Sequence, residues 1–380
     1  MPKTVAVVGT RGYPSYYGGF ETAVRKIAPF LAGKGWDVNV YCRPGATKDD
    51  DDTRDPRVRT TTTPGLERKS LSTLSFGLTA VLHSIHESPD VALVMNVANG
   101  FWLPLLKLRG IPTVVNVDGI EWERAKWNGF AKFVFKLGAR LTARFGDVLV
   151  SDSLEIQRRW KEDFGRSSLF IPYGGEVPEP LEVVPGLEHD SYVLMVARFV
   201  PENTVSEFFR AVEDIAGERP VVIVGSSGYG GPLDEDAKEL SDRHPNVTWL
   251  GHLSDDKKLL SLWQHAGVYF HGHSVGGTNP ALVQAMACGA PVVARRTAYN
   301  SEVLDTSEHL VDPHPADIAK ALRRMLSDDE LRSRARTANM QRAALQYNWD
   351  DVCGRYEQAL MTATAPASKK TIPLAVGKAT

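Results

Sequence analysis

The strongest constraint on this chain is an alternation that runs twice. Short continuous apolar runs at residues 4–9, 38–42, 91–96, 113–117, 147–150 and 169–172 alternate with segments of helical period, the first at about 19–34. A strand that is apolar on both faces must be covered on both, which is the condition of a parallel sheet between layers of helix. The segment PEPLEVVP at 178–185 breaks the pattern, because proline lacks the amide that regular structure needs. The alternation then restarts at 192–197, 221–225, 247–250, 268–270 and 291–294. An α/β fold of two Rossmann-like domains follows, an N-terminal one over 1–180 and a C-terminal one over 186–345. Ligands of such sheets bind beyond the carboxyl ends of the strands, so the expected site is a central cleft that both parallel sheets face. A further helix is expected over 346–361, its amphipathic pattern running from Trp349 to Met361. The tail at 362–380, rich in Ala, Thr, Pro, Ser and Lys, is expected to be disordered.

Length and charge narrow the function. With 380 residues, each domain can bury its own core. A formal net charge of −2 gives no basic field for nucleic acid, so any anion site must be local. Cys42, Cys288 and Cys353 are widely spaced and form no CxxC pair, which fits a reduced cytoplasm better than a disulfide framework. The first apolar run is too short for a signal peptide, and no apolar stretch approaches the roughly 18 residues of a membrane span. The acidic run at 49–52 reads as a solvated loop.

Five segments carry residues suited to chemistry. GTRGYPSYYGGFE at 9–21 joins the first strand to the first helix. Its glycines let amides turn toward an anion, so it reads as a phosphate or acceptor loop, or as a plain turn. It is not the dinucleotide fingerprint, since no third glycine follows Gly9 and Gly12 at the required offset; Arg43 would suit a 2′-phosphate. ARFVPENT at 197–204 places Arg198 at a strand's carboxyl end, where a guanidinium can clamp a diphosphate, with Glu202 positioned to hold it. FHGHSVGGTNPALVQAMACG at 270–289 has a flexible Gly276–Gly277 pair, a helix cap at Thr278 or Asn279, and Pro280 at the first helical position. That helix start would bind phosphate, with Gln284 one turn further in. His271 and His273 alternate on a strand end; without a third ligand no metal is expected, and His273 is a candidate sugar contact. In VDGIEWERAKW at 117–127, Asp118 either accepts a hydrogen bond from an acceptor hydroxyl or caps the segment that follows. In the run 124–144, from Arg124 to Arg144, Lys132, Lys136 and Arg140 recur at helical spacing among Trp127, Phe130, Phe133, Val134 and Phe135. Such a helix rests on an anionic membrane surface, or is a domain helix with one solvated basic face.

Taken together, VAVVGTRGYPSYYGGFET, VDGIEWERAKW, ARFVPEN and HGHSVGGTNPALVQAMACG resemble a family 4 retaining glycosyltransferase of the GT-B fold over residues 3–361, and most of all the bacterial rhamnosyltransferases of capsule and other surface polysaccharides. The resemblance implies a nucleotide-sugar donor, dTDP-L-rhamnose, on the C-terminal domain. A lipid-linked saccharide acceptor would sit on the N-terminal domain, at the inner face of the plasma membrane. No cofactor or metal is implied. It puts Arg198 on the donor diphosphate, with Glu202 in support, and gives the amides of Gly276, Gly277, Thr278 and Asn279, together with Gly18 and Gly19, to the phosphates. Gln284 stands where the family usually has a ribose-binding glutamate. Gly251 stands where its backbone reads the base, Asn203 where a lysine usually flanks the diphosphate, and His273 beside the donor sugar. Arg11, Tyr17, Glu21 and Glu121 fall to the acceptor, and Asp118 to the catalytic centre. The last helix would return to the N-terminal domain. The acceptor hydroxyl would attack the face that the diphosphate leaves. The departing oxygen would take the proton, and anomeric configuration would be retained. Three rivals stand beside this reading: a sugar-nucleotide 2-epimerase of the same fold, an inactive nucleotide-sugar-binding protein, and an NADP oxidoreductase.

Overall fold

The computed structural model describes residues 2–16, 18–47, 51–67, 72–124, 127–228 and 230–366. The chain divides into two compact units, Met1–Tyr173 with Trp349–Thr380, and Gly174–Asn348.

In the first unit seven strands pair in parallel: β1 Thr4–Val8, β2 Asp37–Cys42, β3 Arg59–Thr62, β4 Val91–Met95, β5 Thr113–Asn116, β6 Val148–Ser151 and β7 Leu169–Phe170. Their order is β3-β2-β1-β4-β5-β6-β7. β4 (VALVM) is buried at every residue because neighbours flank it and helices cover it. The helix Gly19–Gly33 lays Ala23, Val24, Ile27, Ala28 and Leu31 on the sheet. Beside it packs the helix Trp349–Thr364, through Val352, Cys353, Tyr356, Ala359 and Leu360. That helix belongs to the first unit and runs three residues beyond 361; residues 367–380 of the expected tail lie outside the described residues.

In the second unit six parallel strands follow: β8 Val193–Val196, β9 Val221–Val224, β10 Val247–Trp249, β11 Val268–His271, β12 Val292–Arg295 and β13 Leu310–Val311. Their order is β10-β9-β8-β11-β12-β13. Side chains alternate across the sheet. Val193, Met195, Ile223 and Phe270 enter one core, while Leu194, Val222, Val224 and Tyr269 enter the other. The segment at 178–185 is no loose linker. Helix Asp256–His265 straps it down: Leu181 N donates to Gln264 Oε1 at 3.0 Å, Gln264 Nε2 donates to Glu179 O at 3.0 Å, and Ser261 Oγ donates to Glu182 O at 2.6 Å. The division therefore falls at Tyr173–Gly174, ahead of the prolines.

Strand order reverses between β1 and β4 in the first sheet, and between β8 and β11 in the second. At such a switch point the loops leaving neighbouring strands part, and a ligand crevice opens beyond the carboxyl ends.

Candidate active site

In the second unit the loops after β8 and β11 flank the switch point; Phe270 pairs with Met195 just below them. Arg198 follows β8 with its side chain exposed. Among the described residues no hydrogen bond or ion pair joins it to Glu202, contrary to the support expected there. Glu202 is buried and faces the neighbouring loop, its backbone carbonyl accepting from Ser274 N at 3.0 Å and Ser274 Oγ at 2.8 Å. Asn203 is buried too, and its Nδ2 donates to Arg198 O at 2.9 Å. It braces the arginine's backbone. Thr204 Oγ1 donates to Gly272 O at 2.6 Å, and Arg295 Nη1 donates to that hydroxyl at 3.0 Å. Thr204 and Arg295 lock the two loops together, a role their sequence context did not signal.

The loop after β11 leads into the helix Pro280–Ala287. Asn279, not Thr278, is the cap: its side chain accepts from Ala281 N at 2.9 Å, and its carbonyl takes Leu282 N and Val283 N at 3.1 Å. The amides of the helix itself are thus occupied. Those of Gly276, Gly277 and Asn279 make no hydrogen bond among the described residues, so the donors open to an anion precede the helix. Thr278 is buried. Gly251 follows β10, and its carbonyl accepts from Gly225 N at 2.7 Å.

Gln284 is already engaged. Its Oε1 accepts from Glu176 N at 3.0 Å, and its Nε2 donates to Glu176 O at 2.7 Å. A carboxamide matches both polar groups of one peptide; a carboxylate would set a second acceptor against the carbonyl. The side chain expected at the ribose holds the backbone of residue 176.

His271 is fully buried and stacks on His273 at 4.4 Å between ring centroids. Tyr269 Oη lies 3.3 Å from Val196 O and 3.0 Å from His271 Nδ1, within hydrogen-bond distance of both. Among the described residues no group of three or more His, Cys, Asp or Glu could hold a metal ion. Burial, and then the neighbouring His273, hold the His271 pKa well below 6.5. The unfolded chain therefore binds a proton at mildly acid pH that the fold refuses. Stability due to His271 is complete above about pH 6.5 and declines as pH falls from there toward the folded pKa, with a limiting slope of about 1.4 kcal/mol per pH unit. Urea unfolding at pH 7.0, 6.0 and 5.0 should show this loss, and His271→Asn should flatten it.

In the first unit the loop after β1 is built on Glu21. This buried carboxylate accepts from Thr10 Oγ1 at 3.2 Å and Arg11 N at 2.9 Å. Arg11 O accepts from Arg43 N at 2.7 Å. Arg43 is itself buried: Nη1 donates to Ser72 Oγ at 2.7 Å, and the guanidinium lies 4.9 Å from the Phe76 ring centre. That inward setting turns Arg43 away from the role of a 2′-phosphate contact. Gly18 is the extended residue before the helix and its carbonyl accepts from Thr22 N at 3.0 Å; Gly19 is the first helical residue. Tyr17 lies outside the described residues.

Asp118 caps no helix. It sits two residues beyond β5 at φ 60°, and the short helix Glu121–Glu123 has Ile120 at its cap position. Asn96 Nδ2 donates to its Oδ2 at 3.1 Å, and its amide donates to Asn116 Oδ1 at 2.9 Å. Asn96, just past β4, holds the carboxylate, and Asn116, at the end of β5, holds the backbone amide; their sequence context marks neither. Glu121 is buried, paired with Arg124 at 2.6 Å, and accepts from Trp127 Nε1 at 2.9 Å. Arg124 therefore turns inward, outside the basic helix, which spans Gly129–Phe145. On that helix Phe130 and Phe133 are 72% and 60% exposed, with Lys136, Arg140 and Arg144 exposed beside them.

A parallel α/β unit repeated in this way is the architecture of GT-B proteins. A sucrose-phosphate synthase from Thermosynechococcus elongatus superposes with a TM-score of 0.76 at 19% identity, over 94% of this chain and 98% of that one. Anabaena HepE, solved in complex with UDP, gives 0.74 at 14% identity, over 95% and 100%. The domain described as "Glycosyl transferases group 1" matches residues 182–342, and the "Glycosyl transferase 4-like domain" matches 18–174. With one such domain in each unit, the chain belongs to the family 4 glycosyltransferases of GT-B type. Among curated relatives, the Escherichia coli O-antigen chain mannosyltransferase B is 26% identical over 197 residues, covering 49% of either chain. A phosphatidyl-myo-inositol mannosyltransferase of Mycobacterium leprae (strain TN) is 29% identical over 238 residues, covering 59% of this chain and 61% of that protein. These matches span less than two thirds of the length of either relative.

Proposed function

We propose that the protein transfers a hexosyl group from a nucleotide-sugar donor to a saccharide acceptor with retention of configuration, the donor being held by the second unit. One observation carries the proposal. At the switch point of that unit's sheet, an exposed arginine, Arg198, and three amides that make no hydrogen bond among the described residues, those of Gly276, Gly277 and Asn279, stand on the loops of adjacent strands. Donors of this kind, fixed before the reaction, stabilise the charge that grows on a departing diphosphate. Asp118, held by Asn96 and Asn116, suits the orientation of an acceptor hydroxyl. Its backbone bond to Asn116 and its half-buried setting keep it from swinging away.

The donor we assign is dTDP-L-rhamnose, and the acceptor a lipid-linked saccharide. GDP-mannose is the second reading, favoured by the mannosyltransferase names of the relatives. The exposed face of Gly129–Phe145 supports contact with an anionic leaflet. Phe130 and Phe133 would enter the headgroup layer while Lys136, Arg140 and Arg144 meet phosphates. No described helix is long and apolar enough to cross a membrane. The test is thermal shift and diphosphate release with dTDP-L-rhamnose, GDP-mannose and UDP-glucose, with octyl glycosides as acceptors and anionic vesicles present or absent. A donor at 100 times its Kd adds about 2.7 kcal/mol of stability. Stabilisation by dTDP-L-rhamnose alone supports the first reading and by GDP-mannose alone the second. Silence with every nucleotide sugar overturns both, and conversion of a donor without acceptor would make the protein an epimerase.

A further inference from the structure

The carboxyl edge of the first sheet carries polar residues that donor chemistry does not use. Past the ends of β4, β5, β6 and β7, four neighbouring strands, stand in turn Asn96, Asp118, Asp152 and Tyr173. Their order in space is fixed by pairing: Val117 N donates to Val150 O at 2.9 Å, and Ile171 N to Ser151 O at 2.9 Å. Asp152 is 3% exposed and Tyr173 7% exposed. Beneath them Asn116 Nδ2 donates to Tyr356 Oη at 2.7 Å, tying the edge to the helix Trp349–Thr364.

Tyr173 is the odd member of this row. Its ring is buried, yet no hydrogen bond to its hydroxyl exists among the described residues. Burial first, then the charges of Asp152, Asp118 and Glu21, drive its pKa well above 10, so the hydroxyl keeps its proton. Its oxygen is not among the fully buried side-chain atoms that lack a partner, so the hydroxyl end of the otherwise buried ring reaches solvent and is open to a ligand. Sugars meet these needs: each hydroxyl both donates and accepts, so one ring can take the tyrosine proton on an oxygen and give its own proton to a carboxylate.

We propose that the Tyr173 hydroxyl, beside Asp118 and Asp152 at the carboxyl edge of β5–β7, reads one hydroxyl of the acceptor saccharide and so helps to set acceptor specificity. This rests on the transferase reading above. Donor recognition belongs to the other unit, so the two proposals separate by experiment.

The test compares wild type with Tyr173→Phe, using octyl glycosides and their monodeoxy analogues as probes. Because the hydroxyl has no hydrogen-bond partner among the described residues, the variant should melt at about the wild-type temperature. Its KM for the octyl glycoside should rise about tenfold, with KM for the nucleotide sugar and acceptor-free diphosphate release unchanged. One monodeoxy analogue should lose about tenfold in kcat/KM on wild type and nothing further on the variant, because both changes delete the same bond. Binding of the same glycosides, followed by calorimetry, reads the contact without turnover, so the absence of any transfer would count against the transferase reading alone. Equal glycoside affinity in wild type and variant, no glycoside binding to either, or a change confined to the donor KM overturns the assignment of Tyr173.

Discussion

Arg198→Ala should lower turnover by about 100-fold or more while leaving the fold intact. The two halves of that expectation have different origins. The side chain is exposed and makes no hydrogen bond or ion pair among the described residues, so its removal breaks nothing. Surface changes of that sort stay within about 0.5 kcal/mol of wild type. The activity loss corresponds to about 2.7 kcal/mol of barrier, at about 1.36 kcal/mol per tenfold. That is the range for one fixed donor aimed at developing charge, and more than a screened surface ion pair, at about 0–1 kcal/mol, could supply. Arg198→Lys keeps the charge but loses the planar fork, so its activity should fall between the two. The measurement is kcat and donor KM on the donor found by the nucleotide-sugar panel, alongside a melting curve. Near-normal kcat in Arg198→Ala would remove the diphosphate role from this residue.

The framework of the fold was legible because its signal is local. Continuous apolar runs such as VALVM and VVIV announce two-sided burial, and all eleven such runs became strands. β3 was not legible: RTTT is an edge strand without apolar residues, and only its pairing with β2 makes it a strand. β13 is two residues long and gives no period at all. The same divide runs through the site. Asn279 and Pro280 as the start of a helix follow from neighbours in sequence, and the structure has them so. The bonds of Gln284 are not legible locally, because their partner, Glu176, lies 108 residues away. Asp118 read equally well as a cap or an acceptor contact; its positive φ and its bond from Asn96, 22 residues earlier, remove the first option. Glu202 was paired with Arg198 on sequence proximity alone, yet the loop between them turns the glutamate inward. Residues whose partners are distant along the chain can be named as polar and well placed from sequence, but not given a bond.

Gly225→Ala should be the most damaging single methyl group added to the second unit, with a loss of about 4 kcal/mol or more, the range of severe core lesions. Gly225 follows β9 at φ +133°, outside the regions open to L-residues, and a Cβ there would stand 1.8 Å from the carbonyl oxygen of Ala197. Neither side can yield. Gly225 N donates to Gly251 O at 2.7 Å, its carbonyl accepts from Trp249 Nε1 at 2.9 Å, and Ala197 N donates to Val224 O at 3.0 Å. Gly251→Ala supplies the control, since Gly251 also has a positive φ, +63°, but its Cβ would meet nothing within 4 Å. That variant should cost only the left-handed penalty, about 1–2 kcal/mol. Urea unfolding of both full-length variants separates close approach from backbone conformation. Equal losses would mean that the contact with Ala197 relaxes freely. The residue after that carbonyl is Arg198, so a methyl group at 225 must displace the very peptide that carries the arginine. A Gly225→Ala protein rescued by low temperature or osmolyte should therefore still bind nucleotide sugar more weakly than wild type, whereas a rescued Gly251→Ala protein should keep an undisturbed Arg198.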